Sequence, residues 1–144
     1  MAVPLKVTIY DCKKLGVTGV VGLEAASGYW GLSSYSFEDF PVFLYESTSG
    51  NVDRITSNIS YTGIPTKITL DHTVYFQDGI YITDMERTIC DMIEYGADDF
   101  TMLESIDGYS WVVKDQTPLI QMAKERGLYD KLVELQAEAD EMFS

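Results

Sequence analysis

Residues 73–95 constrain this chain more than any other stretch. Two β-branched and aromatic runs, Thr73–Gln77 and Ile80–Ile82, flank Asp78-Gly79. Asp-Gly at that spacing predicts a tight hairpin, because both turn residues must accept positive φ. Thr83-Asp84-Met85-Glu86 follows without a linker and reads as a capping box. In that motif Thr83 accepts from the backbone of Glu86, and Glu86 reaches back to the backbone of Thr83. Met85, Ile89, Met92 and Ile93 then form an apolar stripe to about Tyr95, with Gly96 as the stop. A strand that feeds straight into a capped helix excludes all-α and all-β architectures.

The remaining segments fill in an α+β domain. Residues 17–32 read as a thin helix started by Thr18 and ended by Gly31, with Gly22, Ala25, Ala26 and Gly28 along it. Each interior glycine costs about 1 kcal/mol against alanine, so these need a tertiary reason or the helix is shorter. Residues 40–47 predict a strand with Pro41 near its start, where a missing donor is tolerated. Residues 55–61 alternate as a half-buried strand and residues 67–70 form another. Residues 100–106 predict a helix ended near Gly108, followed by an apolar connector over 111–113. Thr117-Pro118 opens a helix that closes at Gly127. Residues 128–143 form the last helix, with Leu128, Leu132, Leu135, Ala139 and Met142 on one side. The expectation is one domain over 1–144: a small, mostly antiparallel sheet over about 40–83, packed by helices from the N-terminal and C-terminal parts.

Charge and composition narrow the function classes. Asp and Glu number 23 against 10 Lys and Arg, a net charge of −13. That surface repels phosphates, so no direct nucleic-acid partner is expected. With one histidine, His72, a multi-His metal site cannot be built from one chain. No Walker A, Gly-x-Gly-x-x-Gly, Cys-x-x-Cys or Gly-x-Ser-x-Gly pattern occurs, so no cofactor, metal or catalytic residue is assigned. No apolar run reaches the ~20 residues of a membrane span. Two cysteines, Cys12 and Cys90, and no signal-like start predict a reducing cytoplasm.

The run Asp78-Gly79-Ile80-Tyr81-Ile82-Thr83-Asp84-Met85-Glu86-Arg87-Thr88-Ile89-Cys90-Asp91 resembles the G-(I/V)-x-V-T-x-x-E-R-T-(L/I)-x-D signature of AbiEi-type antitoxin domains, from type IV toxin–antitoxin systems of abortive infection. Leu23–Ser33 is similar to that family's S-A-L-x-x-x-G-L helix, and Pro41–Tyr45 stands where the family has its first sheet strand. The resemblance runs from Val17 through almost the whole remaining chain. It implies a non-catalytic antitoxin-like protein that opposes a nucleotidyltransferase-type toxin, by contact or indirectly. Family members usually carry an N-terminal winged helix that binds their promoter. The residues before Val17 are too few for one, so a form without its own DNA-binding module is expected.

Six residues are singled out as motif or interaction candidates: Glu86, Arg87, Thr88, Asp91, Tyr29 and Trp30. Arg87 and Asp91 are four apart on one helical face and predict an ion pair. With Glu86 as a cap residue, this trio reads first as bracing and second as a recognition surface. Tyr29, Trp30, Tyr35, Phe37 and Phe40 exceed what one helix face can hide; the group reads first as core and second as a partly exposed partner patch. Cys90 reads as a buried, inert thiol and His72 as structural or merely exposed. Asp11-Cys12-Lys13 has a nuclease-like spacing without an acidic partner upstream. Asp130, Glu134, Glu138, Asp140 and Glu141 make the tail helix acidic, which supports an alternative: a stand-alone acidic interaction module or DNA mimic for a basic protein.

Overall fold

A computed structural model describes residues 8–47 and 70–144. Within them a four-stranded sheet has the order β2-β1-β4-β3, built from β1 (Thr18–Val21), β2 (Phe43–Ser47), β3 (Thr73–Gln77) and β4 (Ile80–Thr83). β1 runs antiparallel to β2 and parallel to β4, and β3 runs antiparallel to β4. The helices are α1 (Cys12–Leu15), α2 (Leu23–Tyr29), α3 (Met85–Tyr95), α4 (Asp99–Val112), α5 (Thr117–Glu125) and α6 (Tyr129–Phe143). The fold is α+β with a mostly antiparallel sheet, as the periodicities predict. The strand expected over 55–61 lies outside the described residues, as does all of the one expected over 67–70 except Leu70, which is in no strand.

The hairpin forms where Asp78-Gly79 places it, with φ of 48° and 80° at the two turn residues. β4 is buried at Ile80, Ile82 and Thr83, because the parallel partner β1 covers one edge and helices cover its apolar face. α3 ends at Gly96, whose positive φ of 102° lets the chain leave the helix axis.

Two expectations are corrected. The helix drawn over 17–32 is a strand, a turn and a shorter helix: Thr18–Val21 joins the sheet, and Gly22 is the N-cap of α2. Gly22 is thereby moved out of the helix, while Gly28 stays inside it. Leu23 turns the chain at φ 54°, a conformation that costs a bulky side chain about 1–2 kcal/mol. Burial of Leu23 at 0% exposure offsets that strain. The helix expected to stop near Gly108 runs on to Val112. Gly108 instead brings α4 against the backbone of Leu32, where a Cβ would lie 2.3 Å from the carbonyl oxygen.

The core holds Val20, Val21, Leu23, Phe43, Ile80, Ile82, Ile89, Met92 and Tyr109, so sheet, α2, α3 and α4 share one apolar interior. α6 closes it from below α4 with Leu132, Leu135 and Ala139, while Met142 stays half exposed. Among the described residues no helix is long and apolar enough to cross a membrane.

Candidate functional site

The β4–α3 junction gathers the signature residues. Thr83 still pairs with Thr73 in the sheet, so its backbone is committed to the strand. The first residue free to cap is Asp84, and its Oδ1 accepts from the backbone N–H of Arg87 at 2.8 Å. The Thr83/Glu86 capping box therefore does not form: with Asp84 at the cap, the third helical position is Arg87 and Glu86 falls one short. Thr83 is used differently. Its hydroxyl meets the Thr88 hydroxyl at 2.6 Å, fully buried, and Thr88 donates to the Asp84 carbonyl at 2.6 Å. Strand end and helix start are thus stitched by side chains on both sides of the turn.

Arg87 and Asp91 pair as their spacing predicts. Arg87 Nε donates to Asp91 Oδ2 at 3.1 Å, and Arg87 Nη1 donates to the Asp71 carbonyl at 2.6 Å. The other Asp91 oxygen accepts from Arg126 Nη1 at 2.7 Å, and Arg126 Nη2 also lies 3.2 Å from Glu94. The Asp91 side chain is 3% exposed. Burial pushes its carboxyl up from the usual range, and the two guanidiniums act in the opposite direction. One carboxylate therefore ties the hairpin base, α3 and the end of α5 together. Arg126 and Asp71 escape a reading of the sequence, because their partners are 35 and 16 positions away and share no helical spacing. Replacing Arg87 with alanine should destabilise the protein by about 2–3 kcal/mol, since a hydrogen-bonded charge pair is lost in a buried setting. Lys114→Ala, at an exposed position, should stay within about 0.5 kcal/mol. Thermal melts of the two variants check the contrast, and equal shifts would make Arg87 a surface residue.

The aromatic candidates are structural in part. Trp30 Nε1 donates to the Thr83 carbonyl at 2.7 Å, which pins the end of α2 on the junction. Tyr29 meets Trp30, Phe37 and Phe76 edge-to-face, with centroids 4.9, 5.0 and 5.8 Å apart. Tyr29 and Trp30 are half-buried, and Phe40 is exposed. Glu24, absent from the candidates, is buried at 4% exposure in the first turn of α2, and its Oε2 accepts from the Asp98 N–H at 3.4 Å. Nothing in local spacing marks it, since it faces the core only because Leu23 turns the chain.

The remaining chemistry-bearing residues are accounted for as follows. Burial pushes the Cys90 thiol up to about 12 from its ordinary 9.0. A thiol whose folded-state value is raised adds stability that is complete below about pH 9 and lost as pH climbs toward 12. Cys12 is buried as well and both thiols are free. An aromatic disulfide reagent at pH 8 should label neither cysteine in the native protein and both after unfolding; fast native labelling of Cys90 would show an open α3. Asp11 accepts from the Thr8 hydroxyl and N–H, which lowers its carboxyl, so it serves a turn. His72 Nδ1 lies 3.0 Å from Asp84 Oδ2 at the rim of a cleft between α3 and α5. Among the described residues no hydroxyl or thiol hydrogen-bonds His72, and no three ligating side chains converge on a metal position.

No protein family, no curated protein and no solved structure matches this chain.

Proposed function

We propose that this chain is a non-catalytic antitoxin-like protein that opposes a nucleotidyltransferase-type toxin. What supports the reading is the use of the signature residues. Thr83, Arg87, Thr88 and Asp91 are buried and spend their polar groups on each other, on Asp84, on Asp71 and on Arg126. A carboxylate with both oxygens held by guanidiniums is a poor general base, and a thiol raised to about 12 is a poor nucleophile. The signature then builds a rigid scaffold, and the activity belongs to surfaces that the scaffold presents.

The test is genetic and direct. A nucleotidyltransferase-like coding sequence beside this gene, expressed alone, should arrest growth, and co-expression of this chain should restore it. Failure of the folded, abundant chain to restore growth would end the antitoxin reading.

A second reading has its own observation. Asp130, Glu134, Glu138, Asp140 and Glu141 of α6 are all exposed, which suits a basic protein partner. Binding to such a partner should weaken with salt and should be lost in the Glu134→Gln, Glu138→Gln, Glu141→Gln triple variant.

A further inference from the structure

The cleft between the first turn of α3 and α5 has a volume of about 310 Å³ and is lined by His72, Glu86, Pro118, Gln121, Met122 and Glu125. That volume is at the lower limit of ligand pockets, which suits a single side chain. Its polar lining is made of acceptors. Glu86 and Glu125 bring carboxylates. Gln121 donates its amide N–H to Glu125 Oε1 at 3.3 Å, which leaves its carbonyl oxygen free to accept. In the neutral ring whose Nδ1–H donates to Asp84 Oδ2, the His72 Nε2 is also an acceptor. Met122 and Pro118 supply an apolar wall.

Two helix N-termini meet here, and left uncapped they would favour an anion. Both are already answered: Asp84 accepts from Arg87 N–H at 2.8 Å, and Asp115 accepts from Thr117 N–H at 3.0 Å. The cations of α5 point elsewhere, with Lys124 over the Tyr129 ring and Arg126 on Asp91 and Glu94. Behind Glu86 sits the hydroxyl of Tyr109, fully buried and without a hydrogen-bond partner. Burial first, and then the neighbouring Glu86 carboxylate that it faces, raise the phenol. A buried donor without an acceptor is unfavourable by about 1–3 kcal/mol, and a small movement of Glu86 onto it would relieve that.

We propose that this cleft binds an arginine side chain of a partner protein, with the guanidinium held by Glu86, Glu125 and the Gln121 carbonyl. Arginine fits better than lysine because its planar fork can serve several separated acceptors at once, while its stem lies on Met122 and Pro118. When the guanidinium takes one Glu86 oxygen, Tyr109 holds the other. The inference does not depend on the antitoxin reading.

The test is a titration of the isotope-labelled chain, followed by NMR, with N-acetylarginine amide, a capped Gly-Arg-Gly peptide, N-acetyllysine amide, N-acetylcitrulline amide and inorganic phosphate. The two arginine probes should shift His72, Glu86, Gln121, Met122 and Glu125 saturably, with a dissociation constant on the order of 1 mM. Lysine should bind more weakly and citrulline should leave the cleft unshifted. Glu125→Gln, an exposed change, should weaken arginine about tenfold or more. Tyr109→Phe should weaken it about threefold while leaving the melting temperature unchanged or higher, since the hydroxyl it removes has no partner in the free protein. Equal shifts with citrulline, or shifts spread over the α6 acids, would reduce the effect to general charge and overturn the site. Saturation by phosphate would make it an anion site. Binding by N-acetylarginine amide but not by the peptide would exclude a protein partner. No saturable shift with any arginine probe would end the proposal.

Discussion

Asp91→Ala should unfold at a melting temperature roughly 10–15 °C below the parent chain, a loss of about 3–5 kcal/mol. The effect is large because one deletion takes a counter-charge from two guanidiniums at once. Arg87 and Arg126 approach the two Asp91 oxygens at 3.1 and 2.7 Å, and the Arg87 side chain is only 11% exposed. Without the carboxylate, the Arg87 guanidinium loses this buried counter-charge and keeps its bond to the Asp71 carbonyl. Asp91→Asn keeps the volume and one acceptor, so it should lose less. A double-mutant cycle between Asp91 and Arg126 should give a coupling of about 1–3 kcal/mol, because the pair is direct and largely removed from water. A melting temperature within a degree or two of the parent would show that the carboxylate is solvated and that α3 and α5 are held by apolar contact alone.

Gly108→Ala should destabilise the protein by about 2–3 kcal/mol, against the usual sign for that change in a helix. Alanine is normally favoured over glycine inside a helix by about 1 kcal/mol. Here the new Cβ would stand 2.3 Å from the Leu32 carbonyl oxygen and 3.0 Å from its carbon, both backbone atoms. A backbone carbonyl cannot rotate out of the way, so α4 must shift off the α2 end of the molecule and give up packing. Gly28→Ala should behave alike, with its Cβ 2.0 Å from the Tyr35 carbonyl oxygen. Ser110→Ala, exposed on the same helix as Gly108, is the matched control and should be near neutral. Urea denaturation of the three variants measures the difference. A stabilised Gly108→Ala would mean that α4 does not lie against Leu32.

These residues also show why some of the fold was legible and some was not. Asp78-Gly79, Gly96 and Gly127 act through their own φ, so their roles as turn and helix stops can be read from neighbouring residues. Gly28 and Gly108 act through a second segment of chain, and no window of sequence contains that segment. The same division separates Arg87–Asp91, a pair at helical spacing, from Arg126–Asp91, which joins two helices. It also separates Thr83 as an expected cap from Asp84 as the actual one. Sheet pairing holds Thr83 in the strand one residue longer than local preference alone suggests. Thr18–Val21 reads as helix in the sequence for a related reason. A short run of valines and glycines has no decisive period, and pairing with β2 on one side and β4 on the other makes it a strand.

For the candidate site the boundary lies in the same place. The Ile80–Ile93 stretch dictates a strand followed by a helix, and its charges dictate a braced helical face, through interactions that span four residues or fewer. Which carboxylate becomes the hub, and which acceptors line a common cleft, follows from α5 folding back onto α3. That contact brings Arg126 to Asp91 and Glu125 across from Glu86. Short-range hydrogen bonds and side-chain periodicity are written in consecutive residues. Close approach and charge pairing between distant segments exist only once burial of the shared core has brought those segments together.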